Sequence, residues 1–135
     1  MKIRVVSSRE DINTLRPNEK AIHMAFRASD VDFLRLIQKV PRVQMIQLPS
    51  SYMRTMSNAT HVFLDMQGIA LLEGDVWGHR KDLDEYFTVE DATIEEIRSL
   101  AASGVNLNVI AGQVQEKTRI GLDLIKFIAE NKIPA

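Results

Sequence analysis

The densest group of polar and reactive side chains in this 135-residue sequence lies in residues 73–82. The stretch contains the only tryptophan, Trp77, two glycines, one of the three histidines and charges of both signs. It directly follows an apolar run that we predict to be a β-strand. Because ligands of parallel α/β sheets bind beyond the carboxyl ends of the strands, this stretch is the first place to expect a binding site.

Arginine and serine side chains follow the ends of other predicted strands. Ser50 and Ser51 also open a predicted helix, whose unpaired N–H groups favour anions. If the strands are parallel, these groups meet the polar stretch on one rim and would hold a phosphate or a carboxylate. The predicted anion-binding residues are Arg27, Ser50, Ser51, Arg54, Trp77, His79 and Arg80. The alternative is structural, with the serines as helix caps and the tryptophan packed in an ordered turn.

Catalytic and metal chemistry have little support in the sequence. Glu73, Asp75 and His79 suit a transition metal by ligand type, but no recognised metal-binding spacing is present, so we predict no metal site. Ser50 and Ser51 lack the glycines of a nucleophile elbow. Whether the protein is an enzyme therefore stays open, and the sequence indicates neither a catalytic residue nor a cofactor.

Four short apolar runs rich in β-branched residues predict strands. They span residues 3–7, 21–26, 43–48 and 69–73. Helical patterns separate them, and this alternation predicts an α/β fold with a four-stranded, mostly parallel sheet. The regular spacing favours consecutive strand order, in an open α/β sheet or in a leucine-rich-repeat-like arrangement.

The two faces of these predicted strands differ in polarity. Ile22 and Met45 belong to a face that is uniformly large and apolar, which predicts helices chiefly on one side of the sheet. On the other face, Arg4, His23 and Gln44 would form a polar row suited to a protein or ligand partner. The alternative is that C-terminal helices cover this face and its polar groups hydrogen-bond inside that interface.

From residue 88 onwards the pattern is helical only, with helices predicted over residues 93–104, 106–114 and 117–131. The small-residue turn between the first two is typical of a helix-turn-helix. Residues 88–135, however, carry five basic and seven acidic side chains. Phosphate binding needs a basic face, so we expect these helices to cap the sheet and nucleic acid not to be a partner.

Length and composition predict one domain, with an α/β portion over residues 1–87 and a helical portion over residues 88–135. There is no cysteine, which excludes disulfides and thiolate metal sites and fits a reducing compartment. No apolar run approaches the ~18 residues of a membrane span, and the first residues resemble a strand rather than a signal peptide. We therefore expect a soluble cytoplasmic protein with no membrane partner.

Charge is divided unevenly along the chain. Residues 1–60 contain ten lysines and arginines against five carboxylates, whereas residues 61–135 contain seven against thirteen. Such a division indicates a basic binding face or a head-to-tail contact between copies of the chain. The simpler explanation is attraction between the two halves of one fold.

Three strings carry a resemblance to a known family: RPNEKAIHMAFR, VQMIQLPSSYMRT and LLEGDVWGHRKDLDEY. Together they resemble an archaeal family catalogued as domain of unknown function 1699, over about residues 1–90 and less closely through the helical end. The string LEGDVWGHRKD is the specific part. The resemblance implies an archaeal cytoplasmic protein, and it implies no activity, cofactor or catalytic residue.

Two classes of function agree with these residues. The first is a non-catalytic binding or protein-interaction module that associates with itself or another protein through the polar row or the Trp77 stretch. The alternative is a binder or enzyme for a small anionic ligand, bearing phosphate or carboxylate, at the strand carboxyl ends. Helix-turn-helix binding of nucleic acid is a second alternative.

Overall fold

The structure is a computed structural model that describes residues 1–76 and 85–130. Its strands are β1 (Lys2–Val6), β2 (Ala21–Met24), β3 (Met45–Leu48), β4 (Ala70–Glu73) and β5 (Tyr86–Thr88). Its α-helices are α1 (Asp30–Lys39), α2 (Ser50–Thr55), α3 (Asn58–Met66), α4 (Asp91–Ala102), α5 (Leu107–Gln115) and α6 (Leu122–Ala129), and a 3-10 helix spans Glu10–Thr14.

The sheet has the strand order β4-β3-β2-β1-β5. The first four strands pair in parallel, which confirms the predicted mostly parallel α/β sheet, and β5 adds an antiparallel fifth strand beside β1. A strand of three residues is too short to show a period-2 pattern, so the prediction of four strands was incomplete. The parallel strands begin along one side of the sheet, here called the amino edge, and end along the opposite carboxyl edge.

Helices cover both faces of the sheet, so the expectation of helices chiefly on one face is wrong. Ile22 packs in a core with the 3-10 helix and α1 to α3, whereas Met45 packs in a second core with α4 to α6. The predicted common face of these two residues fails because of the register: Met45 lies opposite Ala21, and Ile22 lies opposite Ile46. A shift of one residue moves a side chain to the other face of a strand.

The helix boundaries follow local capping. Met56 adopts an extended backbone and Ser57 caps α3, with the Ser57 hydroxyl accepting a hydrogen bond from the Thr60 amide at 3.1 Å. A single helical pattern from residue 50 to 66 therefore forms two helices. Gly104 follows α4 with a φ of 79°, a conformation that favours glycine and ends the helix.

A capping box begins α1 and ties it to the 3-10 helix. The Ser29 amide donates to Asp32 Oδ2 at 2.9 Å, and the Asp32 amide donates to the Ser29 hydroxyl at 3.2 Å. Arg9 Nε donates to Asp32 Oδ1 at 2.8 Å. Burial acts to raise the pKa of Asp32, but the bonds from Arg9 and Ser29 together hold it below its ordinary value. The carboxylate form of Asp32 is therefore part of the folded state.

We expect Asp32→Asn to lower the free energy of unfolding at about pH 7 by about 1–3 kcal/mol, because hydrogen bonds to a charged partner are lost. The contribution of a carboxyl with a lowered pKa is present above its ordinary pKa of 3.8 and is lost as the pH falls further. Urea unfolding at about pH 7 and about pH 3 should show the gap between wild type and variant shrinking in acid. Asp65→Asn on the exposed side of α3 is the control, and equal losses in both variants would contradict the assignment.

Candidate functional site

A pocket of about 300 Å³ opens at the carboxyl edge, between α1 and α2. The Arg27 guanidinium carbon lies 4.9 Å from the centroid of the Tyr52 ring, and Arg27 Nη1 donates a hydrogen bond to Thr55 Oγ1. Phe33 and Leu48 line the interior. We call this site the carboxyl-edge pocket; it combines apolar walls with one oriented cation.

The structure places the other predicted anion-binding residues elsewhere. Ser50 and Ser51 lie exposed in the first turn of α2, where no side chain makes a capping hydrogen bond, and Arg54 is exposed on the same helix. None of these three lines the carboxyl-edge pocket. Trp77, His79 and Arg80 lie outside the described residues, so for them the prediction stays a prediction. Of the described members of the predicted set, only Arg27 reaches the pocket.

The predicted polar row of Arg4, His23 and Gln44 does not form. Arg4 lies opposite Ile22 and therefore points to the other face of the sheet from His23, and both side chains are buried. Gln44 is exposed and precedes β3. The neighbour of His23 on β3 is Gln47, which the parallel register places directly opposite it. These residues are consequently not one open interaction face.

His23, Gln47 and Asp75 form a polar cluster inside the fold. His23 and Gln47 are both fully buried, and His23 Nδ1 lies 2.8 Å from Gln47 Oε1. Because a carbonyl oxygen only accepts, Nδ1 carries the hydrogen. His23 Nε2 lies 3.5 Å from Asp75 Oδ1, just beyond the end of β4. The cluster joins β2, β3 and the segment that leaves β4.

A second and larger cavity lies at the amino edge, with a volume of about 580 Å³. We call it the amino-edge cleft. Its cationic lining consists of Lys2, Arg16, Lys20 and Arg42. Lys2 begins β1, Lys20 immediately precedes β2, and Arg42 stands three residues before β3. Parallel pairing therefore gathers basic residues that are far apart in the sequence.

Glu19 is the one carboxylate in the described lining of the amino-edge cleft. It is buried, and Glu19 Oε1 accepts a hydrogen bond from the Tyr86 hydroxyl. Burial raises the pKa of Tyr86, and the hydrogen bond and negative charge of Glu19 raise it further. Lys2 Nζ lies 5.9 Å from the centroid of the Tyr86 ring. Because the described lining has four basic side chains and the one carboxylate of Glu19, a ligand in the cleft meets mainly positive charge.

Sequence reasoning missed the amino-edge cleft although one signal pointed to it. The excess of basic residues in the first sixty positions indicated a basic face, but the general rule for α/β sheets directed attention to the carboxyl ends. Tyr86 and Glu19 are 67 residues apart, and only the antiparallel pairing of β5 with β1 brings them together.

Residues 1–76 and 85–130 contain no cluster of three or more histidine, aspartate or glutamate side chains placed to hold a metal ion. Within the same two segments, no helix has the length and apolar character needed to cross a bilayer.

Two family models match the chain. The N-terminal domain of a family of unknown function, DUF1699, matches residues 2–85, and the C-terminal HTH domain of the same family matches residues 92–130. The chain belongs to the DUF1699 family. This confirms the resemblance seen in the sequence strings, while the archaeal source that it implied stays a prediction. No curated protein and no solved structure matches the chain.

The two DUF1699 segments correspond to different layers of the structure. The N-terminal segment contains β1 to β4 with α1 to α3, and the C-terminal segment contains α4 to α6. The carboxyl-edge pocket lies within the N-terminal segment. The amino-edge cleft draws on that segment and on Tyr86, which falls between the two matched ranges.

The buried cluster makes Gly74 sensitive to substitution. A Cβ atom at Gly74 would lie 2.6 Å from Gln47 Nε2, and the shift that this forces on the buried Gln47 amide would disturb its bond to His23. We expect Gly74→Ala to lower the free energy of unfolding by about 1–3 kcal/mol, measured by urea unfolding.

The matched control is Gly112→Ala, in the exposed face of α5, where an added Cβ meets no atom within 4 Å. Alanine is a better helix former than glycine, so this variant should gain about 0.5–1 kcal/mol. A Gly74→Ala variant as stable as wild type would show that the cluster is not tightly packed.

Proposed function

We propose that this DUF1699 protein is a binding module for a small anionic ligand that carries two or more phosphate or carboxylate groups. The observation that carries the proposal is the amino-edge cleft, where Lys2, Arg16, Lys20 and Arg42 surround a cavity of about 580 Å³. From the sequence, a small anionic ligand was the alternative to a protein-interaction module, and it was expected at the carboxyl edge; the proposed location is now the amino edge.

Several physical features favour a multiply charged ligand at this place. Ligand pockets in proteins usually measure roughly 300–1,000 Å³, and the cleft falls within that range. The planar guanidinium groups of Arg16 and Arg42 present pairs of N–H donors that match two oxygens of a phosphate or a carboxylate. A concave wall of one charge sign also concentrates field lines and attracts oppositely charged ligands.

The same geometry favours binding over catalysis. Glu19 and Tyr86 are the carboxyl and phenol groups in the described lining of the cleft, and they are hydrogen-bonded to each other. The raised pKa of Tyr86 keeps its hydroxyl protonated, so it is not a ready general base. The hydrogen bond between Glu19 and Tyr86 therefore fixes one wall of the cleft. The four basic side chains of the lining attract an anionic ligand.

A nucleic-acid role for α4 and α5 is the second candidate function. The observation that favours it is the family description, which assigns residues 92–130 to an HTH domain. Asn108, Val109 and Gln113 are exposed along α5. Amide side chains can hydrogen-bond to the edges of bases, and a small apolar side chain can contact the methyl group of thymine. The acidic balance of the helical portion is why this candidate ranks second.

The amino-edge cleft should bind small anions that carry several charges. We expect pyrophosphate, tripolyphosphate and citrate to raise the melting temperature, because a ligand at about 100 times its Kd stabilises by about 2.7 kcal/mol. Arg42→Gln and Arg16→Gln should each weaken binding about tenfold or more in titration calorimetry. Lys39→Gln on the exposed surface of α1 is the matched control and should bind as wild type does.

Two outcomes would contradict the proposed function. One is the absence of any stabilisation by all three anions at low ionic strength. The other is equal weakening by Lys39→Gln and Arg42→Gln, which would indicate nonspecific attraction to the basic half of the chain rather than a site.

The second candidate predicts weak binding of random duplex DNA with a shallow salt dependence. Arg98, Arg119 and Lys117 are the cations nearest in sequence to α5, and Lys117 Nζ lies 3.2 Å from Glu96 Oε1. Two to three phosphate contacts correspond to a slope of about −2 to −3 in log K against log salt. Fluorescence anisotropy should show that Arg119→Gln lowers the slope by about one, whereas Lys39→Gln leaves it unchanged. No binding at about 50 mM salt would exclude this function.

A further inference from the structure

The carboxyl-edge pocket differs from the amino-edge cleft in both charge and polarity. Phe33, Leu48 and Met56 supply apolar walls, and Tyr52 contributes its ring at the rim. A cavity of roughly 150 Å³ is enough to hold benzene. A pocket of about 300 Å³ therefore has room for an aromatic or branched aliphatic group together with one polar substituent.

Arg27 supplies one cation at this pocket, and its position is held from two sides. Its guanidinium stacks on the Tyr52 ring at 4.9 Å and donates through Nη1 to Thr55 Oγ1. A guanidinium has five N–H donors in a planar fork, so one bond to Thr55 leaves most of the fork for a ligand. Stacking reduces the rotamer freedom that the side chain must otherwise lose when a ligand binds.

The carboxylates of α1 are committed to other partners. Asp30 Oδ1 accepts hydrogen bonds from Ser57 Oγ at 2.8 Å and from Thr60 Oγ1 at 2.6 Å. Asp32 is bonded to Arg9. Among residues 1–76 and 85–130, no carboxylate lies within ion-pair distance of Arg27. Within this part of the chain, the charge of Arg27 therefore lies at the rim of an apolar pocket without a carboxylate partner.

We infer that the carboxyl-edge pocket binds a small monocarboxylate with an apolar body, whose carboxylate pairs with Arg27 while its body packs on Phe33, Leu48 and Met56. A bidentate pair between guanidinium and carboxylate is both stronger and more directional than a neutral hydrogen bond. The apolar walls select against a ligand with several charges, because every additional charge would lose its water without a partner. This site is independent of the one proposed in the amino-edge cleft.

The test uses phenylacetate and 4-methylpentanoate as probes and phenylacetamide as the neutral match of the first. We expect both acids to shift the methyl NMR signals of Leu48 and Met56, and we expect the amide to bind at least about tenfold more weakly. The exposed Met66 on α3 should keep its signal, because it lies on the outer surface of its helix.

Variants distinguish the effect of the Arg27 charge on ligand binding from any effect on the stability of the fold. Arg27→Gln should weaken phenylacetate binding about tenfold or more, and Arg27→Lys should retain only part of the wild-type affinity. Arg54→Gln, on the same helix as Tyr52, is the control and should bind like wild type. Equal binding of acid and amide, or shifts at Met66 rather than Met56, would overturn the inference. Arg42→Gln should leave this binding unchanged, so failure here is distinguishable from failure of the amino-edge cleft.

Discussion

Parallel pairing of β1 to β4 is the constraint on which the rest of this structure depends. Four strands in consecutive order place every loop that enters a strand on one edge and every loop that leaves it on the other. The basic residues that precede strands thus gather at the amino edge, and Arg27 emerges at the carboxyl edge. Reversing β2 or β3 would disrupt both sites, because each of these strands has residues of one site before it and residues of the other at or after its end.

The register of those pairs is supported by polar groups as well as apolar ones. His23 and Gln47 occupy opposite positions on β2 and β3 and hydrogen-bond to each other where both are fully buried. A slip of one residue would place them on opposite faces and would leave buried polar groups without this bond, which is costly in an apolar interior. Asp75 extends the cluster to the end of β4.

The two edges of the sheet differ in the charged side chains that line them and in the hydrogen-bond partners of the nearby carboxylates. At the amino edge, Tyr86 hydrogen-bonds to Glu19, and four basic side chains line an open cleft. At the carboxyl edge, Asp32 caps α1, Asp30 links α1 to α3, and the Arg27 guanidinium faces an apolar pocket. In both places, described carboxylates have structural hydrogen-bond partners: Glu19 accepts from Tyr86, and Asp32 accepts from Arg9.

The sequence by itself determined the elements whose signals are local. β-Branched runs predicted the four parallel strands, and the specific strings indicated the DUF1699 family. The single helical pattern over residues 50–66 was misleading, because Ser57 caps a second helix within it.

Only the tertiary structure decided which face each residue occupies and which residues share a site. Strand register is a relation between segments, so Ile22 and Met45, similar in character, enter different cores. The pairing of Tyr86 with Glu19 depends on β5, a strand too short to recognise alone. The amino-edge cleft depends on loops that are distant along the chain and become adjacent only after the strands have paired. Strand pairing is a set of hydrogen bonds between segments far apart in the sequence, so no local pattern specifies it.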